Sequence, residues 1–99
     1  MRFSEKSFNR AIVYLCKIPV GELPEKRDQR FRGKFGADSQ ELRIEINKLT
    51  ELLCSNGPMA NEELLDAYHR SMAGVLETYP YLSKRTQNRL FSIYYWAWR

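Results

Sequence analysis

Phe8, Ala11, Ile12, Leu15 and Cys16 stand at positions i, i+3, i+4, i+7 and i+8, and this spacing constrains the fold more than any other feature of the chain. It lays one apolar stripe along a helix of about residues 5–17, opened by Ser4 as its N-cap. The same period returns in Leu42, Ile46, Leu49 and Leu53, where Ile44 and Leu52 widen the apolar surface. It returns again in Leu64, Leu65, Tyr68, Met72, Val75 and Leu76. Nothing in the sequence resembles a hairpin, because no Asn-Gly turn joins alternating strands. The expected fold is therefore all-α, a bundle of four main helices over about 5–17, 39–55, 62–77 and 84–98.

Start and stop signals set these bounds. Asp38 with Glu41 three residues on forms a capping-box pattern. Asn56-Gly57-Pro58 ends that helix, with glycine expected in the left-handed C′ position and proline forbidding continuation. Asn61 is expected to cap the third helix, whose first turn then carries Glu62, Glu63 and Asp66 at the positive end of the dipole. Tyr79-Pro80-Tyr81 breaks it, and Ser83 caps the last helix. Pro19, Gly21 and Pro24 interrupt the pattern after the first helix, so residues 18–37 read as a basic connection containing Gly and Pro. Within it Pro24 can open a short helix over about 24–32, ended by Gly33 or Gly36. Ninety-nine residues fit a single helical domain and exclude a multidomain enzyme or a large buried active-site cavity.

Charge is unevenly distributed. Residues 1–36 hold nine basic and four acidic side chains, residues 37–80 three and eight, and residues 81–99 four and none. The net charge of +4 thus hides an acidic middle between two basic ends. Cys16 and Cys54 are too few for a disulfide scaffold and sit within predicted helices, so reduced, buried thiols are expected, with a single bridge as the alternative. No apolar run has signal-peptide or membrane-spanning length. A reducing, cytoplasmic protein without membrane contact is the expectation.

Catalysis is not expected. His69 is the sole histidine and no Cys pair stands near it at ligand spacing, so neither a metal nor a cofactor is anticipated. Glu62 and Asp66 are explained by the helix dipole and by an Asp66–Arg70 pair at i, i+4. Nucleophile-elbow, phosphate-loop and dinucleotide fingerprints are absent.

Three stretches qualify as binding surfaces. Lys26, Arg27, Arg30, Arg32 and Lys34 alternate with two aromatics, Phe31 and Phe35, and two glycines, Gly33 and Gly36, a mixture suited to phosphates and unpaired bases. Alternatively the two phenylalanines pin the connection to the core and the cations are simply solvated. Lys84, Arg85, Gln87, Asn88 and Arg89 open the last helix with side chains that reach phosphates and base edges, or form an ordinary solvated helix start. Finally Phe91, Ile93, Tyr94, Tyr95, Trp96 and Trp98 carry apolar surface all round the last helix. Such a helix must be buried on every side, and a chain this short has difficulty surrounding it. Tyr95, Trp96 and Trp98 are therefore expected either in the core or at a protein or self-association interface.

The run from Leu49 to Leu65, a Leu-rich helix meeting Gly57-Pro58 and then Glu62-Glu63-Leu64-Leu65, resembles the first two helices of a winged helix-turn-helix. The resemblance covers about half the chain and implies that the next helix enters the major groove, with Lys84, Arg85, Gln87, Asn88 and Arg89 at the DNA. Together these readings lead to a non-enzymatic binding protein, accessory to a nucleic-acid-handling complex, that contacts nucleic acid or a nucleic-acid-binding site through its cations. The alternatives are a small inhibitor or subunit, of a defence complex for instance, docking through its acidic middle and aromatic helix, and a helix-turn-helix-like regulator.

Overall fold

A computed structural model describes residues 3–18 and 22–98. Its elements are α1 (Glu5–Lys17), α2 (Pro24–Phe35), a 3₁₀ turn (Gly36–Asp38), α3 (Ser39–Cys54), α4 (Leu64–Thr78) and α5 (Lys84–Trp98). The all-α expectation holds, and the four main helices lie within two residues of their expected bounds. Pro19 and Gly21, expected to break the first helix, and Arg99 at the end of the aromatic run lie outside the described residues.

The short helix expected in the basic connection is present and runs three residues further than expected. Pro24 occupies the first turn, where its missing N–H costs nothing, and α2 continues past Gly33 to Phe35 before Gly36 turns the chain at φ +61°. Phe31 is the buried anchor, only 1% exposed, and packs in tilted ring contacts with Phe35 and Tyr14 at centroid distances of 4.8 and 6.5 Å. A helix with so little apolar surface depends on this aromatic contact rather than on its own propensity.

Three helix-end readings are also corrected. Asp38 adopts αR geometry and makes no side-chain cap; the 3₁₀ turn runs straight into α3, with the Ser39 N–H donating to the Gly36 carbonyl. Gly57 does not take the left-handed conformation. Instead it lies under Trp98, where a Cβ would meet the indole at 2.7 Å. Asn61 is the residue with positive φ, +65°, and α4 begins only after Glu63. The Ser4 and Ser83 caps form as expected: Ser7 N–H donates to Ser4 Oγ at 3.0 Å and Thr86 N–H to Ser83 Oγ at 3.1 Å.

The helices pack as predicted stripes. α5 contacts α1, α3 and α4, while α3 also touches α1 and α2. Phe8, Ala11 and Ile12 of α1, Leu42, Leu49 and Leu53 of α3, Val75 of α4 and Leu90 and Tyr94 of α5 are sealed in one core. Leu65 departs from its expected face: it is half exposed, and Ala67 and Ser71 take the inward positions on α4. The molecule measures 43 × 30 × 19 Å, about two helix diameters thick. A body this thin cannot cover every side of α5, and its last turn is left open.

Candidate nucleic-acid interface

The polar side of α1 carries Lys6, Asn9, Arg10, Val13, Tyr14 and Lys17 at helical spacing, opposite the Phe8 stripe. Asn9 fixes what faces it. Its Nδ2 donates to the Glu5 and Tyr81 carbonyls at 2.9 and 3.1 Å, and its Oδ1 accepts from the Ser83 N–H at 2.8 Å. The start of α5 is thereby clamped against α1, while the Tyr14–Phe35 edge contact, 5.7 Å between centroids, brings the end of α2 to the same side. A cleft of about 490 Å³ lies between the three elements, with Tyr14, Phe35, Ser83 and Thr86 in its walls.

Five cations line it: Lys6, Arg10 and Lys17 from α1, Lys34 from α2 and Arg85 from α5. No carboxylate among the described residues does. Among the described residues none of the five makes an ion pair, whereas Arg30, Arg43, Lys48 and Arg70 elsewhere all do. The positive end of the α5 dipole adds to the same field. Converging cations over aromatic walls can hold the phosphates of a strand and offer a π-face to an unpaired base.

The two basic stretches singled out in the sequence contribute unequally. Lys34, Phe35 and Arg85 reach the cleft, and Lys84 is exposed one position before Arg85. Lys26 and Arg32 are exposed on other sides of α2, Arg30 is bound to Glu22 at 2.8 Å, and Arg27 is half-buried toward α3. Phe31 is corrected outright: its ring is enclosed by Phe35, Tyr14 and Arg43 and presents no open face to a base. Gln87 is also engaged internally, its Nε2 donating to the Leu82 carbonyl at 2.9 Å and its own carbonyl accepting from the Tyr68 hydroxyl. Asn88 and Arg89 line a separate hollow with Tyr95 and Trp96. The helices that would form the helix-turn-helix are α4 and α5, and residues 79–83 join them.

Sequence reasoning missed Lys6, Arg10 and Lys17. Their i, i+4 and i+11 spacing was the available signal, but it is also that of any solvated helix face.

The aromatic end of α5 divides into inner and outer residues. Tyr94 is sealed, its hydroxyl donating to the Asn56 carbonyl at 2.7 Å. Tyr95, Trp96 and Trp98 are 41, 56 and 43% exposed. Trp98 is nevertheless tied down over Gly57, with Nε1 donating to the Cys54 carbonyl at 2.8 Å. The helix is not covered all round.

Opposite the cleft, the expected Asp66–Arg70 pair is replaced by another. Arg70 reaches from α4 to Glu62, Nη2 at 2.9 Å from Oε1 and Nε at 3.1 Å from Oε2, and its Nη2 also donates to the Gly57 carbonyl at 3.0 Å. Met59 N–H donates to Glu62 Oε1 at 2.9 Å. The Arg70 hydrogen bonds, with that of Met59 behind them, hold the Glu62 carboxyl at about 2, well below its ordinary range. Cys16 and Cys54 are unbridged, and burial pushes both thiols up. Among the described residues no group of three His, Cys, Asp or Glu could hold a metal ion, and no helix is long and apolar enough to cross a membrane. Compared with protein-family models, curated proteins and solved structures, the chain matches none.

Proposed function

We propose that this chain is a non-enzymatic binding protein, accessory to a nucleic-acid-handling complex, that engages the sugar-phosphate backbone through the α1–α2–α5 cleft. The observation that carries this reading is the meeting of five cations from three helices without an ion pair among the described residues. Clustering like charges costs self-repulsion, and a polyanion is the partner that repays it. Phosphate neutralisation supplies the affinity, and Tyr14 and Phe35 give the walls an apolar surface against which an unpaired base can lie.

The test compares two triple variants, Arg10→Ala/Lys34→Ala/Arg85→Ala in the cleft and Lys26→Ala/Arg30→Ala/Arg32→Ala on the outer α2 surface, by anisotropy with labelled single-stranded DNA, RNA and duplex DNA. The cleft variant is expected to lose most binding and the outer variant to keep most of it. The reverse order, or equal losses, overturns the assignment to the cleft.

A second reading rests on the exposed Tyr95 and Trp96, which suit docking onto a protein partner. Under it Trp96→Ala abolishes the partner contact and the cleft variant does not.

A further inference from the structure

A second hollow, independent of the cleft, opens where α1, α2, α3 and α5 meet. It encloses about 440 Å³, within the range of about 300–1,000 Å³ usual for small-molecule pockets. Leu15, Ile18, Ile46, Ile93 and Trp96 give it apolar walls. Among the described residues its charged lining consists of two guanidinium groups, Arg27 from α2 and Arg43 from α3, and no acid lines it.

The two arginines differ. Arg43 is occupied, 3.7 Å from Asp28 and stacked 5.7 Å above the centroid of Phe31. Arg27 Nε is shut off from solvent and has no acceptor. A buried donor left unpaired is unfavourable, and a native protein that keeps one calls for an explanation. Trp96, more than half exposed, stands at the same hollow.

We propose that this hollow binds a small apolar carboxylate, an aromatic acid or a medium-chain fatty acid. The Arg27 side chain turns to offer its planar fork, Nε included, to the two carboxylate oxygens, and the apolar body lies against Ile46, Ile93 and Trp96. A neutral apolar molecule would leave the Arg27 donor unmet, and a cation would be repelled by both arginines.

Isothermal titration with 2-naphthoate and decanoate, and with the uncharged 2-naphthol and decanol as counterparts, tests this on the intact chain. Saturable one-site binding of at least one acid is expected, at least tenfold tighter than its uncharged counterpart. Arg27→Gln should weaken it at least tenfold. Arg27→Lys, which keeps the charge and removes Nε, should weaken it nearly as much, while Arg10→Ala leaves it unchanged. In the unsubstituted protein, NMR should show the acid shifting the indole N–H of Trp96 and leaving that of Trp98 in place. No saturable binding up to millimolar acid, equal affinity for acid and uncharged counterpart, or full affinity in Arg27→Lys each overturns the proposal.

Discussion

The cleft and the α3–α4 clasp use the same kinds of side chain in opposite ways. On the clasp side Arg70 is spent on Glu62 and Gly57, Tyr94 on Asn56 and Trp98 on Cys54, so that polar groups close a long connection onto the core. On the cleft side Lys6, Arg10, Lys17, Lys34 and Arg85 surround a cavity and make no ion pair among the described residues. Charges that stabilise find internal partners, and charges kept apart from carboxylates are available to something else. On the proposed reading the clasp serves stability and the cleft serves binding, and each can be broken separately.

The largest expected effect is on binding alone. Arg10→Ala/Lys34→Ala/Arg85→Ala should weaken association with single-stranded nucleic acid by about 100-fold at low salt, because three phosphate contacts go together. Thermal melting should be unchanged or slightly improved, since like charges are removed. A large loss of stability would show that these cations hold the fold and would erase the contrast.

Asn9→Ala should affect both properties. It deletes the side-chain hydrogen bonds to Glu5, Tyr81 and Ser83, which together contribute about 1–3 kcal/mol. It also frees the start of α5 from α1, so binding should fall although no cation is lost. Denaturant unfolding and anisotropy on one preparation measure both, and unaltered binding would mean that the Asn9 clamp does not shape the cleft.

Gly57→Ala sharpens the clasp side. The added methyl would stand 2.7 Å from the Trp98 ring, so the indole must swing out and give up its bond to Cys54. Because Trp98 is partly exposed and can move, about 1 kcal/mol of stability should be lost. Trp emission should shift to the red while nucleic-acid binding stays the same.

The smallest effect is on pH dependence. Glu62 has its carboxyl at about 2 against an ordinary 4.5, so the folded state favours its ionised form. That contribution is complete above about 4.5 and is lost as pH falls from there through about 2. Melts of the unsubstituted protein and Glu62→Gln should therefore differ at pH 6 and converge toward pH 2. A gap that persists at pH 2 would show that the carboxylate charge is not what the clasp uses.

Much of the fold was legible in the sequence because the stripes of α1, α3 and α4 follow the 3.6-residue period and their breakers are local. α2 was legible only in part: Phe31 is its single buried residue, so no stripe marks its length. Gly57 before Pro58 reads as a helix stop, and nothing nearby announces that Trp98 will cover it. The cleft was hidden for a similar reason. Lys34, Phe35 and Arg85 lie in stretches with visible composition, yet Lys6, Arg10 and Lys17 differ from an ordinary solvated face only once Asn9 brings α5 alongside them. Phe31 misled because composition does not tell a ring that faces a ligand from one that faces the core.

On the proposed reading the cleft cations are held ready for phosphates. The direct measurement is the affinity of the unsubstituted protein for a labelled single strand across a salt series. Single strands lose about 0.7 in the log–log slope for each phosphate neutralised. Engagement of three to five cleft cations predicts a slope between about −2 and about −3.5, and a shallower slope for the cleft variant. Absence of binding at low salt, or a slope near zero, would contradict the claim.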